Sequence, residues 1–207
     1  MLMTFDSIGY LHSKLTEKDL RPIKEEISLI EKNPILSKTM NGSLAGNLQK
    51  EFELVENRKY LYELILPYVL DFDSYFNYSE TQNIINPKNY NLVLDKIWVN
   101  FQGPSEFNPV HRHTGLFSFV IWINLPYKME DEISRFPLID PKNVRAGTFN
   151  FYYVNSLGRI SEKTFYCDKK LENNLLIFPS EMHHCVYPFY SSKEYRISVS
   201  GNLCLDI

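Results

Sequence analysis

The chain has 207 residues, of which 44% are hydrophobic and 14% aromatic, and it carries a formal net charge of −3 with a pI near 6.0. A chain of this length fits one domain with a sizeable core, and these fractions are typical of a folded rather than a disordered protein. The slightly acidic balance provides no overall basic field, which argues against bulk electrostatic attraction to nucleic acid or to an anionic membrane.

The first part of the chain, residues 1–85, is predicted to be helical. Thr16 is placed to cap a helix that ends at Asn33-Pro34. Apolar residues recur in it at spacings of three and four, as one buried helix face requires: Leu20, Ile23, Ile27 and Ile30. A second helix is predicted from about Asn57 to Phe72, with Pro67 expected to kink or shorten it. We expect this segment to pack on the outer face of the remainder of the protein.

From Tyr90 onward the sequence predicts a succession of short strands. Segments rich in β-branched and aromatic residues are separated by turn residues, with no helix between them: NLVLDKIWVNFQ, LFSFVIWINLP, GTFNFYYVN, ISEKTFYC, NLLIFPS, HCVYPFY and EYRISVSGNLCL. This pattern predicts a sandwich, jelly roll or barrel for residues 86–207, and thus a mainly β fold with N-terminal helices in one globular domain overall. The long charged loop at 127–146 interrupts the succession of strands and is interpreted as a cover over a site. The alternative is a surface loop with no function.

The cysteines and the N-terminus bear on location. The three cysteines are Cys167, Cys185 and Cys204. They form no CxxC pair, and their odd number fits no disulfide framework, which favours a reducing compartment. The N-terminus lacks the basic stretch and apolar run of a signal peptide, and no run reaches the roughly 18 apolar residues of a membrane helix. We therefore expect a cytoplasmic protein with no membrane partner.

The histidines are clustered in a way that suggests a metal site. Four of the five lie in His111-Arg112-His113 and His183-His184. Residues i and i+2 of a strand point to the same side, so His111 and His113 can present two imidazoles to one point. His184, several strands later, can supply a third ligand and leave open positions for substrate and dioxygen. The spacing alone does not decide, since surface histidines give the same pattern and the usual iron triad contains a carboxylate.

An arginine in the last strand strengthens this hypothesis. Arg196 and Ser198 lie two residues apart and share one face of the strand. A guanidinium opposite a metal can bind a carboxylate through two hydrogen bonds, with the hydroxyl as a further donor. This suits a dicarboxylate cosubstrate with one end on the metal. A surface arginine paired with Glu194 is the alternative.

Five segments of the sequence carry a family resemblance: WVNFQ, EFNPVHRHTG, FSFVIWINLP, FPSEMHHCVYPFY and YRISVSGN. Taken together, they resemble the 2-oxoglutarate- and Fe(II)-dependent oxygenases, and most closely the phage-type members of that family. The similarity to prolyl hydroxylases is more distant. The resemblance covers about residues 90–205. The family's His-x-Val-x-Pro and Arg-x-Ser elements match the segments that begin at His184 and Arg196, and this match selects His184 over His183 as a ligand.

The resemblance implies a double-stranded β-helix, with Fe(II) bound by His111 and His184. It also implies that Arg196 and Ser198 bind the C5 carboxylate of 2-oxoglutarate. No catalytic residue beyond the metal centre is implied.

Two positions depart from the usual family pattern. His113 stands where the family usually has aspartate. Because His-x-His is common in the phage-type subset, His113 is kept as the third metal ligand. Trp122 stands where prolyl hydroxylases place a tyrosine beside the cosubstrate, and it joins Arg196 and Ser198 as a cofactor-binding candidate.

The implied activity is that of a dioxygenase that hydroxylates an unidentified protein, peptide or small-molecule substrate and releases succinate and carbon dioxide, in the host cytoplasm if the protein is viral. Residues 127–146 and 149–154 are candidate substrate contacts. A cupin-like three-histidine dioxygenase without 2-oxoglutarate stays open, because it explains His113 well although it explains Arg196 poorly. A non-enzymatic β-sandwich, such as a viral structural or binding protein, also stays open.

Overall fold

The computed structural model describes residues 8–82 and 91–206. The helices in these ranges are α1 (Glu17–Lys32), α2 (Arg58–Phe76), α3 (Tyr78–Thr81) and α4 (Met129–Ser134). The strands are β1 (Leu11–Lys14), β2 (Glu51–Glu53), β3 (Asn91–Gln102), β4 (Asn108–His111), β5 (Phe117–Asn124), β6 (Thr148–Val154), β7 (Ile160–Tyr166), β8 (Asn174–Pro179), β9 (His183–Val186) and β10 (Arg196–Asp206). No helix of the described ranges is both long enough and apolar enough to cross a membrane.

The strands form two antiparallel sheets that face each other. The larger sheet has the order β1-β8-β5-β10-β3-β2, and the smaller one has the order β4-β9-β6-β7. Non-consecutive strands are neighbours in both sheets, as in a jelly roll, and aromatic side chains from both sheets meet between them. The predicted mainly β fold class is therefore confirmed.

The larger sheet is buried on both faces. On its outer face, apolar side chains of the central strands pack against α1 and α2, and they include Val99, Phe101, Ile121, Ile177 and Val199. On its inner face, other side chains of the same strands pack against the smaller sheet, and they include Val120, Trp122, Leu176 and Phe178. A strand covered on both faces needs apolar residues at successive positions, which explains the continuous apolar run FVIWI in β5.

Helix α1 follows its sequence signals closely. Thr16 caps it, and the side chain of Asp19 completes a reciprocal capping box with Thr16. The four apolar residues predicted for its buried face are all buried. Helix α2 is longer than predicted and runs through Pro67 to Phe76. Since Pro67 and Glu63 both lie on the exposed side, water can satisfy the Glu63 carbonyl that Pro67 cannot bond.

The N-terminal segment also contributes two strands that the sequence did not predict. Strand β1 pairs with β8, and β2 pairs with β3, so both extend the larger sheet. A buried carboxylate connects the helices: Glu26 accepts hydrogen bonds from the backbone N–H groups of Val55, Glu56 and Asn57 just before α2. The predicted division between residues 85 and 86 lies outside the described residues.

The packing of α1 leads to a stability prediction. Leu20→Ala should lower the free energy of unfolding by about 2–5 kcal/mol, because Leu20 is fully buried between α1 and the larger sheet. Leu29→Ala on the same helix, where the side chain is 61% exposed, should change it by roughly 0.5 kcal/mol or less. Chemical denaturation followed by circular dichroism measures both. Equal losses in the two variants would contradict this account of the helix–sheet layer.

Candidate metal centre

The three predicted histidines converge at one end of the smaller sheet. Strand β4 pairs with β9 so that His111 lies directly opposite His184, and both side chains point between the two sheets. His113 follows just beyond the end of β4, where its backbone N–H donates to the carbonyl of Ser180 at 2.8 Å. His183 points away and is exposed.

The imidazoles are close enough to share one ion. The ring centroids of His111 and His184 are 4.3 Å apart, and that of His113 lies 4.9 Å from His111 and 5.0 Å from His184. One nitrogen atom of each ring lies within 4.8 Å of those of the other two. Two metal–nitrogen bonds of about 2.0–2.1 Å place the nitrogens at most roughly 4.2 Å apart, so the rings would have to move only slightly closer to share one ion.

Backbone carbonyls orient two of the rings. Nδ1–H of His111 donates to the carbonyl oxygen of Pro109 at 2.7 Å, and Nδ1–H of His184 donates to that of Met182 at 2.9 Å. A carbonyl can only accept, so both Nδ1 atoms carry the proton and both Nε2 atoms keep a free lone pair. His113 is held differently, by the indole of Trp98, whose ring centroid lies 5.6 Å from its own.

Burial favours the neutral form of all three rings. Desolvation, and the neighbouring His111, lower the pKa of His113 to about 4. Desolvation, with smaller contributions from His111 and His113, holds the pKa of His184 well below its usual value, and desolvation lowers that of His111 as well. Neutral imidazole is the form that binds a metal, so the site is prepared for metal near neutral pH.

No carboxylate belongs to this group within the ranges that the structure describes. Glu106, the acid nearest in sequence before the pair, accepts instead from the backbone N–H groups of Gln49 and Gly103. The three ligand candidates are therefore all neutral.

Arg196 lies across the same cavity and is 2% exposed. Its Nη1–H donates to Tyr127 Oη at 2.9 Å, and the Tyr127 hydroxyl donates in turn to the carbonyl of Gly147. The Tyr127 ring stacks on Phe189, and burial raises the pKa of Tyr127, so that it stays a neutral phenol. No carboxylate pairs with Arg196 among the described residues.

A row of paired residues on the inner face carries the other candidates. Ser198 lies between Asn100 of β3 and Trp122 of β5 in the register of the sheet. Asn100 Nδ2–H donates to Ser198 Oγ at 3.3 Å. Trp122 is 1% exposed and packs edge-to-face against Phe149. All of these side chains line the cavity that the three histidines face.

The cover of the cavity differs from the prediction. None of residues 127–146 lines it; that segment packs behind Arg196, where Glu132 accepts from the backbone N–H groups of Tyr190 and Ser191. Leu44 and Ala45, from the polar loop after α1, line the cavity instead. Of 149–154, Phe149 reaches the cavity.

Sequence reasoning missed the role of several residues. Tyr127 was assigned only to the cover, although it accepts a hydrogen bond from Arg196, and Asn100 and Asn108, which line the cavity, were not singled out. Asparagine in the middle of a strand as apolar as IWVNFQ was a signal for Asn100. Tyr127 had no such signal, because only a tertiary contact brings it to Arg196.

The residues present fit a divalent metal ion beside an anionic ligand. Three imidazoles, two of them with Nδ1 bound to a backbone carbonyl and the third packed against an indole ring, form a donor set typical of transition metals. Arg196 places a buried positive charge on the same cavity with no counter-ion among the described residues. A dicarboxylate would supply the negative charge that both the metal and Arg196 lack.

Comparison with known protein families places the chain. A family model described as "Putative 2OG-Fe(II) oxygenase" matches residues 96–202, slightly more than half of the chain. This span contains all three histidines as well as Trp122, Arg196 and Ser198. No protein of curated function matches the sequence at a significant level.

Solved structures share the fold. A prolyl-4-hydroxylase from Pseudomonas putida is 12% identical, with a TM-score of 0.55 over 94% of this chain and 91% of that one. A viral collagen prolyl hydroxylase from Paramecium Bursaria Chlorella virus-1, in complex with 2OG, is 11% identical, with a TM-score of 0.50 over 94% of each chain. HygX from Streptomyces hygroscopicus, with nickel and 2-oxoglutarate bound, is 9% identical, with a TM-score of 0.53 over 98% and 84%. These likenesses confirm the double-stranded β-helix.

The geometry leads to a prediction on metal binding. His111→Ala and His184→Ala should each weaken binding of Fe(II) or Ni(II) by roughly a hundredfold or more, because two imidazoles are left to hold the ion. His113→Asp should retain the metal, since a carboxylate is the usual third ligand of such sites. His183→Ala, beside His184 but exposed, is the control and should bind as the unaltered protein does. Calorimetric titration measures all four, and unchanged affinity in His184→Ala would refute the site.

Proposed function

The chain belongs to the 2OG-Fe(II) oxygenase family, and on that premise we propose that it is an Fe(II)- and 2-oxoglutarate-dependent dioxygenase that hydroxylates an organic substrate. The observation that carries the proposal is a single cavity lined both by three convergent neutral histidines and by a buried arginine without a counter-ion among the described residues. A non-enzymatic binding protein has no need of that combination.

In this proposal His111, His113 and His184 hold Fe(II). When bound, the iron and 2-oxoglutarate supply the oxidising chemistry, in which dioxygen and the cosubstrate yield succinate and carbon dioxide while one oxygen atom enters a substrate C–H bond. The protein itself supplies position, charge and exclusion of water. No acid or base of this chain is required.

Arg196 and Ser198 bind the far carboxylate of 2-oxoglutarate in this proposal. The guanidinium can donate two parallel hydrogen bonds to a carboxylate, and its burial makes that interaction stronger than at the surface. Tyr127 accepts a hydrogen bond from Nη1 and so fixes one side of the guanidinium, whose other N–H groups are then available to the carboxylate. Ser198 adds a hydroxyl two residues along the same strand.

Aromatic side chains form part of the cavity wall. Trp122, Phe149 and Phe178 line the cavity, and the rings of Phe149 and Phe178 contact His184 at centroid distances of 5.5 Å and 5.1 Å. Water exclusion protects a reactive oxidant from wasteful side reactions. Trp122 lies beside Ser198 on the neighbouring strand, and its large side chain fills space next to the proposed carboxylate site.

His113 alters the charge of the centre. With three neutral ligands, a divalent ion keeps its full charge of two, whereas the usual carboxylate would reduce it by one. A dianionic cosubstrate neutralises this charge, so we expect 2-oxoglutarate to bind strongly here. The same three ligands are compatible with a three-histidine dioxygenase that uses no 2-oxoglutarate, but that activity leaves Arg196 unexplained.

The test is binding of 2-oxoglutarate to the iron-loaded protein without oxygen. We expect the weak visible charge-transfer band of the chelate on adding Fe(II) and 2-oxoglutarate anaerobically. Arg196→Ala should retain the metal but weaken 2-oxoglutarate binding by roughly a hundredfold, because a buried charged hydrogen-bond pair is lost. Arg112→Ala, an exposed arginine beside the histidines, is the control and should leave the band unchanged.

The outcomes separate the candidates. Bound metal with no band in the unaltered protein would favour the three-histidine dioxygenase. Failure to bind metal would contradict both enzymes.

Tyr127 provides a second prediction, as a positioning residue. Tyr127→Phe keeps the stacking on Phe189 but removes the oxygen that accepts from Arg196. The KM for the cosubstrate should rise roughly tenfold, because the guanidinium loses one of its fixed contacts. The turnover rate at saturating cosubstrate should stay nearly constant. Tyr166→Phe, a half-exposed tyrosine, is the control, and a fall in the saturated rate with constant KM would rule out this role.

A further inference from the structure

Four buried oxygen atoms near the cavity have no hydrogen-bond partner within the described residues. They are both carboxylate oxygens of Glu51 and the Oδ1 atoms of Asn100 and Asn108. Glu51 is 1% exposed and Asn100 is 7% exposed, and both asparagines line the cavity that the histidines face. Buried polar atoms without partners are uncommon in folded proteins, so a group of four in one place requires a cause.

The sheet register places these groups together. Glu51 of β2 pairs with Asn100 of β3, which pairs with Ser198 of β10, so the three side chains share the inner face. Gly46 lies against the other side of the group. A Cβ added at Gly46 would lie 3.0 Å from both Glu51 Oε1 and Asn108 Oδ1. Because glycine has no side chain, the backbone at Gly46 can lie close to these oxygens without a clash. Leu44 and Ala45, just before it, line the cavity.

All four atoms are acceptors, and the described part of the chain provides no donors for them. Asn100 Nδ2 is already used on Ser198 Oγ. Desolvation, with the nearby Glu106 charge as a smaller cause, raises the pKa of Glu51 to about 7. Even a protonated Glu51 would contribute one donor, which satisfies one further acceptor and leaves the others without a partner.

The cavity is therefore polarised between its two sides. Arg196, paired with Gln102 near one end of β10, carries a positive charge that attracts an anion. The lone pairs of the two asparagine oxygens and of Glu51, together with the negative charge of Glu51 when it is ionised, repel an anion and attract a cation. The anionic cosubstrate is thus directed to Arg196, and the acceptor side is left for a different ligand.

We propose that Glu51, Asn100 and Asn108 bind a positively charged nitrogen of the primary substrate, which is an ammonium or guanidinium group. This inference rests on the proposed function, because it assigns the substrate of the same centre. Such a group brings several N–H donors and one positive charge, which together match the unpartnered acceptors. A free amine and a lysine or arginine side chain of a peptide share this chemistry.

The experiment is calorimetric binding to the protein loaded with Ni(II) and saturating 2-oxoglutarate. The probes are n-pentylamine and n-pentylguanidine, compared with n-pentanol and pentanoate of the same chain length. We expect at least one cationic probe to bind about tenfold or more tightly than the neutral and anionic probes. Blocked tripeptides centred on lysine, arginine or norleucine then distinguish the sources: tighter binding than the free amine indicates a peptide side chain, and weaker binding indicates a small molecule.

Variants connect the binding to these residues. Glu51→Gln should weaken binding of the cationic probe about tenfold or more and leave 2-oxoglutarate binding unchanged. Asn108→Ala should also weaken binding of the cationic probe. Glu53→Gln is the matched control on the same strand, because its carboxylate is already paired with Lys38 at 2.6 Å. The Tm of Glu51→Gln should not fall, since the change removes an unpaired buried charge.

The outcomes are distinct for the two proposals. Equal affinity for cationic, neutral and anionic probes, or no effect of Glu51→Gln, overturns this inference while the 2-oxoglutarate chelate still forms. A Glu51→Gln variant that loses Tm and 2-oxoglutarate together also overturns it and indicates a structural role. Absence of the chelate in the unaltered protein refutes the proposed function instead.

Discussion

The pairing of β10 with β3 on one side and β5 on the other is the constraint on which the site depends. Along β10, Arg196 and Ser198 face the cavity, while Ile197 and Val199 face the helices. A slip of one residue would move the polar side chains into the helix–sheet layer and the apolar ones into the cavity. The burial of Val199 and its neighbours against α1 and α2 therefore determines where the guanidinium lies. The hydrophobic layer positions the site although it touches no ligand.

Charge is the second constraint, and it explains why the cavity combines features that are costly separately. Desolvation opposes protonation of the three imidazoles, and a buried arginine without a counter-ion among the described residues is costly as well. In the proposed complex a divalent ion would bind the neutral imidazoles, and a dicarboxylate between the metal and Arg196 would compensate the guanidinium charge. With His113 as the third ligand in place of the usual carboxylate, such a centre would depend more on an anionic ligand than a site with two histidines and an acid does.

Much of the fold was predictable from local patterns. The repeated apolar face and the Thr16 cap located α1, and alternating aromatic and β-branched segments located seven strands, because these signals act over a few residues. Strands β1, β2 and β4 were not among the predicted segments, since four, three and four residues at the edges of a sheet carry little pattern. Helix α2 was predicted to end at about Phe72, with a kink or early end at Pro67, but it continues to Phe76 because a proline on an exposed helix face costs less than one inside a core.

The site was predictable to the extent that it depends on spacing within a strand. Arg196 and Ser198 share one face of β10, as the sequence predicted. His111 and His113 converge as predicted, although His113 lies just beyond the end of β4 and not on the strand itself. Tyr127 reaches Arg196 across 69 positions of the chain, and Glu51 reaches Asn100 across 49 positions. Such contacts are set by the order of strands in the sheet, which local pattern does not specify. The cover was assigned to 127–146 by its length, whereas the position of β2 brings the shorter loop after α1 to the cavity.

The candidate residues for binding iron and 2-oxoglutarate lie in a different part of the chain from the residues proposed to bind the substrate cation. The family match begins at residue 96 and includes every candidate for binding iron and 2-oxoglutarate, whereas Leu44, Ala45 and Glu51 all precede it. β2 is an edge strand held by three register pairs, and its Glu51 and Glu53 pair with Asn100 and Trp98, which line the cavity. Edge strands and loops tolerate change better than the central strands do, so this segment can vary without disturbing the histidines or Arg196. In a fold that supports many activities, selectivity for the substrate is then expected to come from the N-terminal segment, and the oxidising chemistry from the core that it covers.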